Sequence, residues 1–227
     1  MSDFLGIEWD VSGLEHMVRG RRSIVLPLHE GFVDGLAVLR LGVDVKFVGR
    51  DELSEWPTLD RYLQDTGQLL IDPGAGRSAF RHLLQSGRGV LDNREALVIF
   101  PQGSILGIEM AFWQGAFRLA EALDAWIVPV VTAGSHRVWE YPYSPLVRFG
   151  QPVSIRVLPA VAPTEAVDAA RTLETEMKRI ALEELTAPAR RFRPEVDGYW
   201  DDYRYEIDPA FPDLVAQVAA HREAVGR

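Results

Sequence analysis

Apolar and polar residues follow two alternating periods along this chain. Ser23 to Leu28 (SIVLPL) is a short apolar run of the kind that marks a buried strand. From Gly31 to Gly42 the spacing becomes helical, with Phe32, Leu36 and Leu39 recurring and Gly42 as the stop. VDVKFVG alternates apolar and polar residues as a strand does. A short helical stretch from Glu52 to Gln64 follows, interrupted by WPT; GQLLID is strand-like and DPGAG is a turn. RSAFRHLLQSG predicts a helix with Phe80, Leu83 and Leu84 inward and Gly87 as its C-cap. ALVIF predicts a strand, PQGSILG a loop, and AFWQGAFRLAEAL a helix with Phe112, Leu119 and Leu123 near one stripe. AWIVPVV predicts a strand whose Pro129 points to a sheet edge or a bulge. LVRFG and VSIRVL add late strands. Thr164 to Thr186 is the most regular helix, with Val167, Ala170, Leu173, Met177, Ile180 and Leu185 as its core-facing stripe.

This rhythm of strand and helix predicts an α/β fold with a largely parallel central sheet, helices on both faces and right-handed crossovers. Residues 1–188 are expected to form the domain. Residues 189–227 are expected to form an arm and a closing helix packed on it, with Tyr199, Trp200, Tyr203 and Tyr205 as anchors and DLVAQVAAHREA as the helix.

Composition narrows the class. The 227 residues suit one domain with a substantial core, and 47% apolar with 25% charged residues is an ordinary globular balance. Lys and Arg number 24 against 33 Asp and Glu, a net charge of −9, so no nucleic-acid partner is expected. The absence of cysteine excludes disulfides, thiolate chemistry and Cys-based metal sites, and makes a cytoplasmic setting the plain expectation. The N-terminus does not read as a signal peptide, and no apolar run is long enough to span a bilayer. Membrane contact, if made, is therefore expected at the surface, with ARRFRP (189–194) as one candidate segment.

Two stretches carry candidate chemistry. In LPLHEGFVDGLAV a strand ends at His29 and a helix begins near Gly31, so His29 falls at the C-terminal edge of the sheet, where open α/β sheets form their sites. Asp34 falls in the first helical turn, where the helix dipole favours an ionised carboxylate. Folded back onto the imidazole, Asp34 would fix the tautomer and leave the other ring nitrogen as a general base. The same spacing also suits a turn histidine followed by an ordinary first-turn acid. VIFPQGSILG, Val98 to Gly107, runs a strand into a loop whose N–H groups suit a phosphate or an oxyanion, or simply close a turn. His16, His82, His136 and His221 read as surface or core residues.

In sequence order, these stretches and two more resemble the PlsC-type glycerolipid acyltransferases, the lysophosphatidate acyltransferase family. The family's N-H-x4-D block is matched by Leu28-His29 through Asp34, with Leu for Asn. Its F-V-A-K-x-E-L block is matched by FVGRDEL, Phe47 to Leu53, with Arg50 at the Lys position. F-P-E-G-T-R-S is matched by FPQGSIL, Phe100 to Leu106, and the V-P-V strand by Val128-Pro129-Val130. WQGAFRLA, Trp113 to Ala120, is similar to the helix that follows the third block. The resemblance implies a glycerol-3-phosphate acyltransferase-like fold and an acyltransferase domain over residues 1–188. It implies transfer of an acyl group from acyl-CoA or acyl carrier protein, as co-substrate, to a hydroxyl of a lysophospholipid-like or other lipid or polyol acceptor. His29 would be the general base, oriented by Asp34. Arg50, Phe100, Pro101, Gln102, Gly103 and Ser104 would line the substrate site, with N–H groups near Gly103 and Ser104 facing the oxyanion. Neither cofactor nor metal is expected. The protein is expected in the cytoplasm, either free or peripheral at the inner face of the membrane.

The departures from the family pattern are specific. Gln102 stands at the Glu position of the third block, and Ile105 at the Arg that in the family looks like a contact for the acceptor's phosphate. Ile cannot supply a bidentate fork for phosphate. Pro73 replaces a further basic residue, while Arg77 lies where a second cation would approach. The acyl-transfer half of the site is thus kept and the phosphate-reading half rebuilt. Gln102 and Ile105 also suit a non-catalytic protein that binds acyl chains or acyl carriers, and His29 acting on water would give a thioesterase-like hydrolase.

Overall fold

A computed structural model of the chain describes residues 4–103, 111–139 and 147–186, together with Pro212, Ala216, Ala219, Ala220 and Glu223. The described strands are β1 (Glu8–Ser12), β2 (Ser23–Pro27), β3 (Val45–Arg50), β4 (Leu69–Ile71), β5 (Ala96–Val98), β6 (Trp126–Ala133) and β7 (Pro152–Val157). The helices are α1 (Asp34–Val38), α2 (Pro57–Asp65), α3 (Arg77–Asp92), α4 (Gly115–Leu123) and α5 (Ala166–Thr186). The strands form one seven-stranded sheet in the order β1-β7-β6-β2-β5-β3-β4, parallel at every pairing except β6 with β7.

The sheet separates two apolar layers. Ile24, Leu26, Leu97 and Ile127 face α3, α4 and α5, meeting Leu83, Phe117, Leu123, Leu173 and Met177. Their strand neighbours Val25, Val98 and Val128 face the other way, onto Ala37 and Val38 of α1 and onto Leu41 and Met17. Every residue of β2 is buried, as expected of a strand covered on both faces. The second layer is the thinner one, built from a short α1 and single turns.

Several elements depart from the expectation. Gly87 does not end a helix: α3 continues to Asp92, and Gly87 is buried within it. A Cβ there would lie 2.9 Å from Leu97 Cδ1, so the glycine serves the close approach of α3 to β5. β6 is interior, between β2 and β7, so Pro129 is not on an edge. The β6–β7 ladder runs only from Val130 to Ala133, and Ile127 then bridges Val161. Pro129, which has no N–H to give, falls in the gap between them and receives Leu158 N–H at its carbonyl, 3.0 Å away. The helix expected from Ala111 starts at Gly115, leaving Phe112 buried in the segment before it. LVRFG contributes an isolated bridge between Val147 and Trp139. β1 has no counterpart in the sequence reading. On α5 the inward stripe also carries Lys178, fully buried, with its ammonium 2.8 Å from Glu174.

The tail reading lies mostly outside the described residues: this holds for ARRFRP and for the aromatics from Tyr199 to Tyr205. The described residues from Pro212 onward are helical. Among the described residues no helix is long and apolar enough to cross a membrane.

Because β2 to β6 run parallel, their C-terminal ends share one edge of the sheet. The loops following β2, β3, β4, β5 and β6 therefore meet there.

Candidate active site

Beyond its last ladder residue β2 stays tied to β6. Leu28 N–H donates to Val130 O at 2.8 Å, and the Thr132 hydroxyl donates to Leu28 O at 2.8 Å. The chain then turns sharply through His29, Glu30 and Gly31 into α1. Asp34, fully buried at the start of that helix, closes the turn with one oxygen. Its Oδ2 accepts Glu30 N–H at 2.7 Å and Gly31 N–H at 2.9 Å, and lies 2.8 Å from His29 Nδ1. The carboxylate oxygen thus faces three nitrogens of the turn. The His29 side chain is 17% exposed, whereas that of Asp34 is sealed from solvent. Since a carboxylate oxygen accepts here, the neutral ring that suits this contact has its proton on Nδ1 and its lone pair on Nε2.

Glycine is required inside this turn. A Cβ on Gly31 would lie 2.8 Å from the backbone nitrogen of His136 and 3.0 Å from Ser135 C, both in the exit from β6.

The loop after β5 supplies the other wall. Phe100 stacks on the His29 imidazole, centroids 4.0 Å apart and planes 25° from parallel, with Phe47 of β3 behind it at 6.5 Å. Phe100 to Gly103 form a turn in which Gly103 N–H donates to Phe100 O at 3.1 Å, Gly103 taking a φ of 64°. That N–H is occupied by the turn, so Gly103 does not offer it to an oxyanion. Pro101 and Gln102 are buried. Gln102 turns inward, its Oε1 3.3 Å from His29 N, and serves to link the two loops rather than to line open space. Trp113 holds this turn from outside, its backbone N–H donating to Pro101 O at 2.8 Å and its indole N–H to Gln102 O at 3.1 Å. Ser104 and Ile105 lie outside the described residues.

Arg50 ends β3 at the same sheet edge but is half exposed, with its guanidinium 2.8 Å from Glu52. Arg77, also exposed, opens α3 after β4. Besides Phe100 against His29, the turn carries a second aromatic contact set at Phe32. Phe32, within the turn itself, stacks with Trp56 at 6.3 Å and meets Trp139 edge-on at 4.6 Å.

Two residues of this neighbourhood were not assigned to the site by the sequence. Glu30 is buried, and its Oε2 accepts Gly134 N–H at 2.7 Å and lies 3.0 Å from His136 Nδ1. His136 is a core residue, as one of the two alternatives for it had it, but it is 106 positions from its partner, and no local spacing could signal the pair. Among the described residues no three His, Asp or Glu side chains gather in a way that could hold a metal ion.

The family model described as Acyltransferase matches residues 8–133, a span that includes every element of this site up to Ala133. Over 99 residues the chain is 33% identical to the 1-acyl-sn-glycerol-3-phosphate acyltransferase of Helicobacter pylori (strain J99), a match that spans 42% of this chain and 41% of that protein. The fold is similar to that of the 1-acyl-sn-glycerophosphate acyltransferase PlsC from Thermotoga maritima. The TM-score is 0.66 at 20% identity, covering 82% of this chain and 75% of the other.

Proposed function

The chain belongs to the Acyltransferase family, and on that footing we propose that it transfers an acyl group from a thioester, acyl-CoA or acyl carrier protein, to a hydroxyl of a lipid acceptor, with His29 as general base. The observation that carries this reading is the 2.8 Å contact between His29 Nδ1 and the buried Asp34 carboxylate, at a sheet edge where loops converge.

His29 Nε2 takes the proton of the acceptor hydroxyl as its oxygen attacks the thioester carbonyl. Asp34 keeps the imidazole in the tautomer that leaves Nε2 free and offsets the positive charge that develops on it. The tetrahedral intermediate collapses with cleavage of the C–S bond, and the thiolate departs, recovering the proton from His29 or from solvent. The Gly103 N–H is held by the Phe100 carbonyl and is not free to meet the oxyanion in this turn. Phe100 fixes the imidazole plane by stacking.

The aromatic surface of Phe32, Trp56 and Trp139 suits a substrate with an apolar chain. Ile105 in place of an arginine, and an Arg50 already engaged by Glu52, favour an acceptor that is not lysophosphatidate or whose phosphate is held in another manner. A lipid acceptor also brings the protein to a membrane surface, as a peripheral protein on the cytoplasmic side.

The experiment offers acyl-CoA, or acyl carrier protein charged with a fatty acyl group, with a mixed lipid and polyol extract, and reads products by mass spectrometry. A new acyl ester matched by thiol release is expected. Thiol release with free fatty acid as the only product would assign a hydrolase instead, and no turnover of either donor would assign a binder.

A further inference from the structure

We propose that Glu30 and His136 form a positioning pair for the acyl-transfer site, anchoring the turn that carries His29 to the exit of β6. The inference rests on the reading of His29 as the base and adds residues that stand at none of the motifs' defining positions.

The turn His29-Glu30-Gly31 is fixed from three directions. Its first residue is tied by its backbone N–H to Gln102, in the loop after β5. Its last is pressed by its α-carbon against the backbone of Ser135 and His136, after β6. Its middle residue sends a carboxylate, 6% exposed, to that same β6 exit, where Oε2 accepts Gly134 N–H at 2.7 Å and His136 Nδ1–H at 3.0 Å. The receiving segment is shaped for this. Gly134 has a φ of 90°, and a Cβ on it would come 2.7 Å from the Pro152 carbonyl, so only glycine takes the bend that aims its N–H at Glu30.

A buried carboxylate is a poor choice if filling space were the sole need. Removing it from water is costly, and its partners only offset that cost. What the carboxylate adds over a leucine is direction, because two bonds to one oxygen fix where Glu30, and with it the peptide of His29, must lie. Asp34 binds the N–H of Glu30, and the side chain of Glu30 binds the β6 exit, so the His29–Asp34 pair and the Glu30–His136 pair share one backbone. Slack in the outer pair becomes displacement of Nε2 from the reacting hydroxyl, and misplacement of about 1 Å is enough to cost about 10²-fold in rate.

The test compares His136→Leu, which fills the space but cannot donate, with His136→Asn, whose amide nitrogen replaces Nδ1. Both are assayed for acyl transfer in the full chain, alongside the proton NMR signal of His29 Nδ1–H. His136→Leu is expected to lower kcat by about 10-fold, leaving KM for the acyl donor within about twofold and broadening the His29 proton signal. His136→Asn is expected to recover both kcat and signal. Equal kcat and an unchanged signal in both variants overturns the proposal, as does equal impairment of both. If His136→Leu does not fold, Glu30→Met takes its place: it keeps the bulk and loses the accepting oxygen, and undiminished kcat overturns the proposal. His29→Ala, run in parallel, separates the two claims. Acyl transfer surviving in His29→Ala defeats the base assignment itself, whereas an inactive His29→Ala beside a fully active His136→Leu defeats only the positioning pair.

Discussion

The side-chain oxygen of Gln102 accepts the backbone N–H of His29 at 3.3 Å, joining loops 73 residues apart in sequence. Gln102 is 1% exposed, and its loss leaves the part-buried His29 N–H without this acceptor. Gln102→Ala is expected to lower stability by about 1–3 kcal/mol and kcat by about 10-fold. Gln102→Glu keeps an accepting oxygen and is expected to retain most of the activity. Denaturant titration with initial-rate measurements checks both, and full activity in Gln102→Ala would remove this residue from the site.

Asp34 Oδ2 meets three N–H groups; an amide in its place carries no charge, and where its nitrogen takes the Oδ2 position it faces them donor to donor. Asp34→Asn is expected to lose about 10²- to 10⁴-fold in kcat, the range that follows when a histidine base loses its orienting carboxylate. Circular dichroism establishes whether the variant is folded. A folded Asp34→Asn with parental kcat contradicts the tautomer argument.

Two nearby glycines, one in the turn and one in the helix after it, respond oppositely. Gly31→Ala drives a methyl group into the His136 backbone at 2.8 Å, and backbone cannot swing aside as a side chain can. A stability loss of about 1–3 kcal/mol or more is expected, with loss of activity. Gly35, inside α1, would place its Cβ no nearer than 4.0 Å to Phe47. Gly35→Ala is expected to be neutral or to stabilise by up to about 1 kcal/mol through helix propensity. Thermal melts of the two variants give the comparison, and a Gly31→Ala as stable as the parent contradicts the close approach.

For the acceptor, the parent protein is expected to prefer hydroxylated lipids or polyols over lysophosphatidate, because Ile105 offers no hydrogen bond to phosphate. Competition between lysophosphatidate and a neutral monoacylglycerol, read by product mass spectrometry, checks this. Robust turnover of lysophosphatidate by the unaltered protein sinks the idea.

Most of the sheet was legible because its central strands are buried on both faces and read as apolar runs, and because α5 has a regular stripe. What was not legible depended on tertiary partners. Gly87 looks like a helix stop in sequence and is a point of close approach to Leu97. Pro129 looks like an edge residue and lies in a gap of the ladder next to β7. β1, short and at the rim, carries no buried run. In the site, the His29–Asp34 contact is local and could be anticipated from spacing. Gln102 and the Glu30–His136 pair join residues far apart in sequence, and only the sheet order brings them together. Of the oxyanion donors expected near Gly103 and Ser104, the Gly103 N–H is taken up by its own turn, and Ser104 lies outside the described residues.

The central claim is that His29 removes a proton from the acceptor hydroxyl during acyl transfer. Its most direct test is the rate of thiol release from acyl thioester with and without acceptor, in the parent protein and in His29→Ala. The account predicts release that requires acceptor in the parent and falls by about 10³-fold or more in His29→Ala. Acceptor-dependent release at the parental rate in His29→Ala would contradict it.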